Sequence, residues 1–310
     1  MNFKLLFWNA QGCGHPKFIT SAREYLRDSR PDVVAFVEPR ISGWKADRVI
    51  SALAFPYSHR VEAVGFSGGI WLAWYETVKI DILQNHFQYI YCRISSTRDN
   101  RSTLTTLVYA SPNSQKRKAL WLELNKLAYS IRSPWFIVGD FNATHSDSDR
   151  RGCAASTKPS KAFQELVFDH GLRDIGFSGP DYTWSCGLAH VRLDRVFCNS
   201  YWDKTFPDST IQYLLRMKSD HRPIMLIVGD VIRFNWPKQF RYFSGWLSHD
   251  DFSRMVQDNW IPSANIVDTI KDFTKAAMVW NETVFGYIDN RIVFVLFSFT
   301  LGIGSPMTRF

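Results

Sequence analysis

The stretch Phe136-Ile137-Val138-Gly139-Asp140-Phe141-Asn142 decides the reading of this chain. Its first half is apolar and, with Trp135 before it, reads as a buried strand. Asp140 and Asn142 then stand two residues apart, and in extended backbone such residues face the same side.

Working outward, the same design recurs. Phe7-Trp8-Asn9 closes an opening strand at 3–8 and is followed by a loop with Gly12 and Gly14. Val33 to Val37 is an apolar run that ends in Glu38, and residues 104–109 lead into Tyr109-Ala110-Ser111-Pro112-Asn113. Arg192-Leu193-Asp194-Arg195 sets an acid between two bases, for which an ordinary salt bridge is the plain reading. Ser219-Asp220-His221-Arg222-Pro223 precedes a last apolar run at 224–228. Further strands are expected at 69–74, 78–83, 87–94 and 193–198. Helices are expected at 18–28, 161–170 and 115–131, the last on the spacing of Leu120, Leu124, Leu127 and Ile131.

Strands dominate and several follow in hairpin order. The expectation is an α/β fold, a sandwich of mixed, largely antiparallel sheets covered by helices. Polar groups gathered at the strand ends of one sheet edge make a site, whereas scattered ones make a surface.

Composition sets the outer bounds. The chain has 310 residues, 45% hydrophobic and 21% charged, which suits a folded protein with a sizeable core. Its formal net charge is +8. Residues 1–230 hold 29 Lys and Arg against 22 Asp and Glu, while residues 231–310 hold 8 against 7. The excess favours a polyanionic partner, and it belongs to the first part. The 5 Cys form no C-x-x-C pair, which argues against a disulfide framework. The spacing of Cys186 and His190 suits half a zinc site, with no second pair to complete it. No secretory signal is expected, and no membrane association. The apolar run 292–303 is shorter than the roughly 20 residues of a spanning helix. Beyond residue 230 the pattern changes to aromatic-rich helices, expected at 246–260 and 266–285, and the last twenty residues differ in character again, as a truncated or frame-shifted reading frame would.

Together Trp8-Asn9, Gly68-Gly69, Tyr109 to Asn113, Gly139 to Asn142, Tyr182-Thr183-Trp184, Leu193-Asp194-Arg195 and Ser219 to Pro223 resemble the exonuclease III-type apurinic endonucleases of the endonuclease/exonuclease/phosphatase superfamily. The wording is nearer still to the endonuclease domain of plant LINE-type (non-LTR) retrotransposons. The resemblance extends over about residues 1–285, with no reverse transcriptase following.

It implies a four-layer α/β sandwich over 1–230, and a helical extension over 231–310 leading toward the absent polymerase. It also implies a Mg²⁺-dependent DNA endonuclease, with Mn²⁺ as a substitute and no obligate protein partner. In that scheme Glu38 is the main metal ligand, helped by Asp220, with Asn9 beside it. Asp140 orients or deprotonates the attacking water, and Asn142 holds its geometry. His221 contacts the scissile phosphate, oriented by Asp194, and Tyr109 faces the phosphate or the leaving oxygen. The metal-ligating set so implied is Asn9, Glu38, Asp140, Asn142, Asp220 and His221. Asn113 would touch the nucleic-acid backbone, and Lys116 and Arg117, like Arg150-Arg151 and Arg216 with Lys218, could neutralise phosphates. Gln11 departs from the pattern, because many apurinic endonucleases carry an acid there. The same scaffold also admits a phosphatase on a small or lipid phosphate, or an inactive nucleic-acid-binding remnant. A nuclear location follows only from the DNA substrate.

Overall fold

A computed structural model describes residues 1–63, 68–99, 101–152, 158–229, 251–261 and 265–280. The chain divides into two compact units, Met1–Ile232 and Arg233–Phe310.

The first unit is a four-layer sandwich. One sheet runs β14 (Thr210–Tyr213), β15 (Ile224–Val228), β1 (Phe3–Asn9), β2 (Val33–Val37), β4 (Ile70–Trp74) and β3 (Tyr57–Val61). The other runs β10 (Arg173–Asp174), β13 (Asp194–Cys198), β8 (Trp135–Asp140), β7 (Ser102–Tyr109), β6 (Tyr89–Ser96) and β5 (Val78–His86). Only β1–β2 and β7–β8 pair in parallel, so both sheets are mixed and largely antiparallel, as expected. A small third sheet joins β11 (Trp184–Cys186), β12 (Ala189–Val191) and β9 (Arg150–Arg151).

Side-chain alternation separates the layers. Phe3, Leu5 and Phe7 of β1 pack between the sheets with Phe136 and Val138 of β8 and Val196 and Cys198 of β13. The alternate residues Leu6 and Trp8 face outward onto α1 (Pro16–Ser29) and α2 (Gly43–Ala52). On the far side Ile137 and Phe197 meet α3 (Ser114–Ser130) and α4 (Lys161–Asp169). This parity aims the site: Asn9, Asp140 and Asp194 continue the inward-facing sets of their strands, and Tyr109 itself lies in the inner core.

Within the second unit α5 (Phe252–Asn259) and α6 (Ile266–Trp280) pack through Phe252, Met255 and Ala277. They fall within the expected helices, whose residues 246–250 and 281–285 lie outside the described ones, as does the run 292–303. Among the described residues no helix is long and apolar enough to cross a membrane. Cys13, Cys92, Cys186 and Cys198 are free thiols.

Gly139 leaves no room for a side chain between β8 and β7. It pairs with Val108, and a Cβ there would lie 2.4 Å from the Val108 carbonyl oxygen. Gly139→Ala should therefore cost about 1–3 kcal/mol of stability, the usual range for overpacking. Urea unfolding of the two proteins checks this, and an unchanged midpoint would mean that β7 and β8 can part there freely.

Candidate active site

The register of three strands sets the floor of the site. Tyr109 pairs with Asp140 across β7 and β8, and Asp140 pairs with Asp194 across β8 and β13. An acidic row thus crosses one end of the second sheet. The first sheet answers with Asn9 at the end of β1 and His221 just before β15. All five side chains are buried, with Asp140 at 0% and Asp194 at 1% exposure.

His221 joins the two sheets. Its Nδ1 donates to Asp194 Oδ2 at 2.8 Å, while its Nε2 lies 3.9 Å from both Asp140 Oδ2 and Asp220 Oδ1. Burial works against the imidazolium, but Asp194, then Asp140, outweigh it and raise the His221 pKa to about 10. Asp140 moves up as well, through burial and then Asp194, against the pull of His221, the Asn142 amide and Asn9. Asp140 Oδ1 accepts from Asn142 N at 2.9 Å, and its Oδ2 accepts from Asn9 Nδ2 at 2.9 Å and Asn142 Nδ2 at 3.1 Å. Asn142 also donates to Ala110 O at 2.8 Å, so it spans the ends of β7 and β8.

Asp194 is held from behind. Thr183 Oγ1 accepts from the Leu193 and Asp194 amides, each at 3.0 Å, and Tyr213 OH donates to Asp194 O at 2.9 Å. The flanking bases do not pair with it, contrary to the plain reading of the motif. Arg192 and Arg195 both reach Asp174, each at 2.8 Å, and Arg195 also pairs with Asp149. Asp194 is thereby left to His221, with its Oδ1 buried and unpartnered.

Glu38, the main expected metal ligand, and Asp220, its expected helper, stand beside this centre. Glu38 follows β2 with a left-handed φ of 52° and takes hydrogen bonds from Tyr109 OH and Arg40. Asp220 Oδ2 accepts from Gln11 Nε2 at 2.7 Å and Trp184 Nε1 at 2.8 Å. Among the described residues the group of His, Cys, Asp and Glu ligand atoms that comes together, all within 4.8 Å, is Asp140, Asp194 and His221. That group could hold a metal ion once the imidazole is neutral, since a protonated ring has no lone pair to give. The carboxylates of this group, and those of Glu38 and Asp220 beside it, are the oxygen donors that a hard divalent cation takes.

Of the expected nucleic-acid contacts, Asn113 and Arg117 carry local hydrogen bonds. Asn113 is the N-cap of α3, its Oδ1 accepting from Gln115 N and Lys116 N. Arg117 Nη1 donates to the Ser111 and Pro112 carbonyls, each at 2.7 Å, which fixes the loop after Tyr109. Lys116 is exposed. Arg40 was legible only as a base two residues from Glu38; its grip on that carboxylate depends on the turn through Pro39.

Residues 6–221 match the Endonuclease/Exonuclease/phosphatase family, and the chain belongs to it. The fold is shared with an AP endonuclease of Leishmania major at TM-score 0.57 and 17% identity, covering 74% of this chain and 88% of that one. A 3'-5' exonuclease of Neisseria meningitidis aligns at 0.54 and 16%, covering 72% and 98%. The endonuclease domain of TRAS1, a telomere-specific non-LTR retrotransposon, aligns at 0.54 and 11%, covering 74% and 98%. No curated protein matches the sequence.

The charge arrangement has a measurable consequence. The folded His221 pKa lies above its unfolded value of about 6.5. Its stabilisation is therefore fully present below about pH 6.5 and is lost as pH rises through about 10. Metal-free protein should lose thermal stability over that window, and NMR should find the His221 ring still protonated at about pH 8, well below its folded pKa. Asp194→Asn should bring its titration down toward neutrality. A ring already neutral at that pH in the wild type would overturn the assignment.

Proposed function

We propose that the chain is a Mg²⁺-dependent endonuclease that nicks the phosphodiester backbone of DNA. The observation that carries this reading is the row Tyr109–Asp140–Asp194 across the strand ends, closed by His221 bonded to Asp194. Hydrolysis of a phosphodiester requires a water to lose a proton as it attacks, charge to be neutralised on the phosphoryl oxygens, and an alkoxide to leave. Asp140 has the position and the raised basicity to accept the water's proton, with Asn9 and Asn142 fixing its oxygens. His221, its Nδ1 committed to Asp194, offers Nε2–H to a phosphoryl oxygen. This revises its expected part as a metal ligand. Tyr109 is kept protonated, by burial first and then Glu38, and can donate near the leaving oxygen.

Glu38 and Asp220 would hold Mg²⁺, with Asn9 and the Gln11 amide nearby. The ion would supply Lewis-acid stabilisation of phosphoryl charge. Gln11 brings no charge where an acid would bring one, so loose binding is expected, with Mn²⁺ able to substitute. The net positive charge of residues 1–230 favours a polyanion, and a nuclear site of action is part of the same proposal. Residues 231–310 would act as a helical linker beyond the nuclease.

A plasmid-nicking assay tests the proposal. Relaxation of supercoiled DNA should require Mg²⁺, stop with EDTA, and fall by about 10²–10⁴-fold in Asp140→Ala, the usual worth of a positioned general base. Hydrolysis of inositol or lipid phosphates without inhibition by DNA would replace this reading with a small-phosphate phosphatase.

A further inference from the structure

The loop at 10–13, which follows Asn9 and carries Gln11, is unusually completely bonded for an irregular segment. Its amides turn one way. Ala10 N, Gly12 N and Cys13 N donate to Val37 O, Glu38 O and Pro39 O at 3.0, 2.7 and 2.8 Å. Gln11 N donates to Asn9 Oδ1 at 3.1 Å. The carbonyls turn the other way, and one side chain meets them. Lys218 Nζ lies 3.1 Å from Ala10 O and 3.5 Å from Gln11 O, and also donates to Gly12 O. Gln11 and Gly12 are both left-handed, with φ of 45° and 100°, which turns successive carbonyls toward one point.

The neighbours of Lys218 extend the seam. Ser219 Oγ donates to Asn9 O at 2.7 Å, Gln11 Nε2 donates to Asp220 Oδ2, and Trp8 Nε1 donates to His221 O at 3.3 Å. The segment 218–221 is thus bonded residue by residue to the segment 8–12. An ammonium is a compact cation with three donors, and three carbonyls can satisfy it fully.

We infer that Lys218 is a positioning residue, a half-buried cation that clasps the 10–12 carbonyls and so holds Asn9, Gln11 and, through the loop amides, Glu38 in place. It does not serve to neutralise a phosphate, which is what its sequence position beside Arg216 suggests. The structural half of this inference stands on the hydrogen bonds alone; the catalytic half rests on the nuclease proposed above.

Two measurements on the full chain separate these halves. The first is amide hydrogen exchange of the peptide spanning 9–14 in wild type and Lys218→Met. Exchange at 10–13 should quicken in the variant while β5 and β6 keep their protection; unchanged exchange at 10–13 would overturn the clasp. Should Lys218→Met not fold, Lys218→Arg is read instead. A planar guanidinium cannot seat one nitrogen on three carbonyls, so faster exchange is again expected, and wild-type exchange overturns the idea.

The second measurement is nicking and DNA binding across a salt series. Lys218→Met should lower kcat by about 10–100-fold, as loss of a group that holds metal ligands in place does. The salt dependence of DNA binding should not change, and ethylammonium should restore part of the rate in Lys218→Ala. A salt slope reduced by about 0.9 would make Lys218 a phosphate contact and overturn the positioning role. If the wild type never nicks DNA, the nuclease proposal falls, and the exchange comparison still decides the clasp.

Discussion

Two carboxylates and an imidazole share a space with almost no access to water, and the rest of the molecule is arranged around that fact. Asp140, Asp194 and His221 are all under 5% exposed. Unpaired charges in such a place are costly, and two like charges side by side are worse. The solution is a cation placed between two anions, with neutral donors on the remaining lone pairs. His221 takes one proton from the strong pull of Asp194 and Asp140. Asn9 and Asn142 cover Asp140, and Thr183 holds the backbone of Asp194. The two arginines beside Asp194 are drawn off to Asp174 and Asp149. A third strong partner on Asp194 would compete with its hold on His221.

The sheets explain how this cluster is assembled from distant parts of the chain. Burying a residue at a strand end requires only that the inward-facing alternation continue one step past the apolar run. That rule is visible in the sequence, and for this reason the acids and amides of the site could be found without a structure. Asn9, Tyr109, Asp140 and Asp194 each close an apolar strand or open one, and the register places the last three in a row. The main strands were legible for the same reason.

What escaped the sequence has a common cause. Strand β3, Tyr-Ser-His-Arg-Val, is an edge strand with no apolar alternation, and β14 is only four residues long. Such strands are defined by their partners, not by their own pattern. The same holds for side chains. Arg40 and Lys218 look like surface cations, and their ends are fixed by carbonyl and carboxylate groups that only the fold brings near. Asn113 carried an N-cap signature that could have been weighed against DNA contact, because an Asn before a helix ordinarily bonds the helix's own amides. Arg117, one turn into that helix, is likewise spent on local carbonyls.

The candidate site is therefore a property of the seam between the sheets and of neither sheet alone. The second sheet contributes the acceptors Asp140 and Asp194 and the donor hydroxyl of Tyr109. The first contributes the amide of Asn9, the imidazolium of His221 and the carboxylates of Glu38 and Asp220. A small slide of one layer over the other would leave Asp140 and Asp194 as paired buried anions without their cation. The inner core resists that slide through the interdigitated Phe3, Leu5, Phe7, Phe136 and Val138. The polar seam resists it through the bonds that cross between the sheets, His221 to Asp194, Asn9 to Asp140 and Tyr109 to Glu38. Within the first sheet, the bonds that join 8–12 to 218–221 fix the spacing of Asn9 and His221 independently of the second sheet. The geometry of the site is then inherited from side chains anchored on backbone carbonyls, as Trp8, Lys218 and Ser219 are.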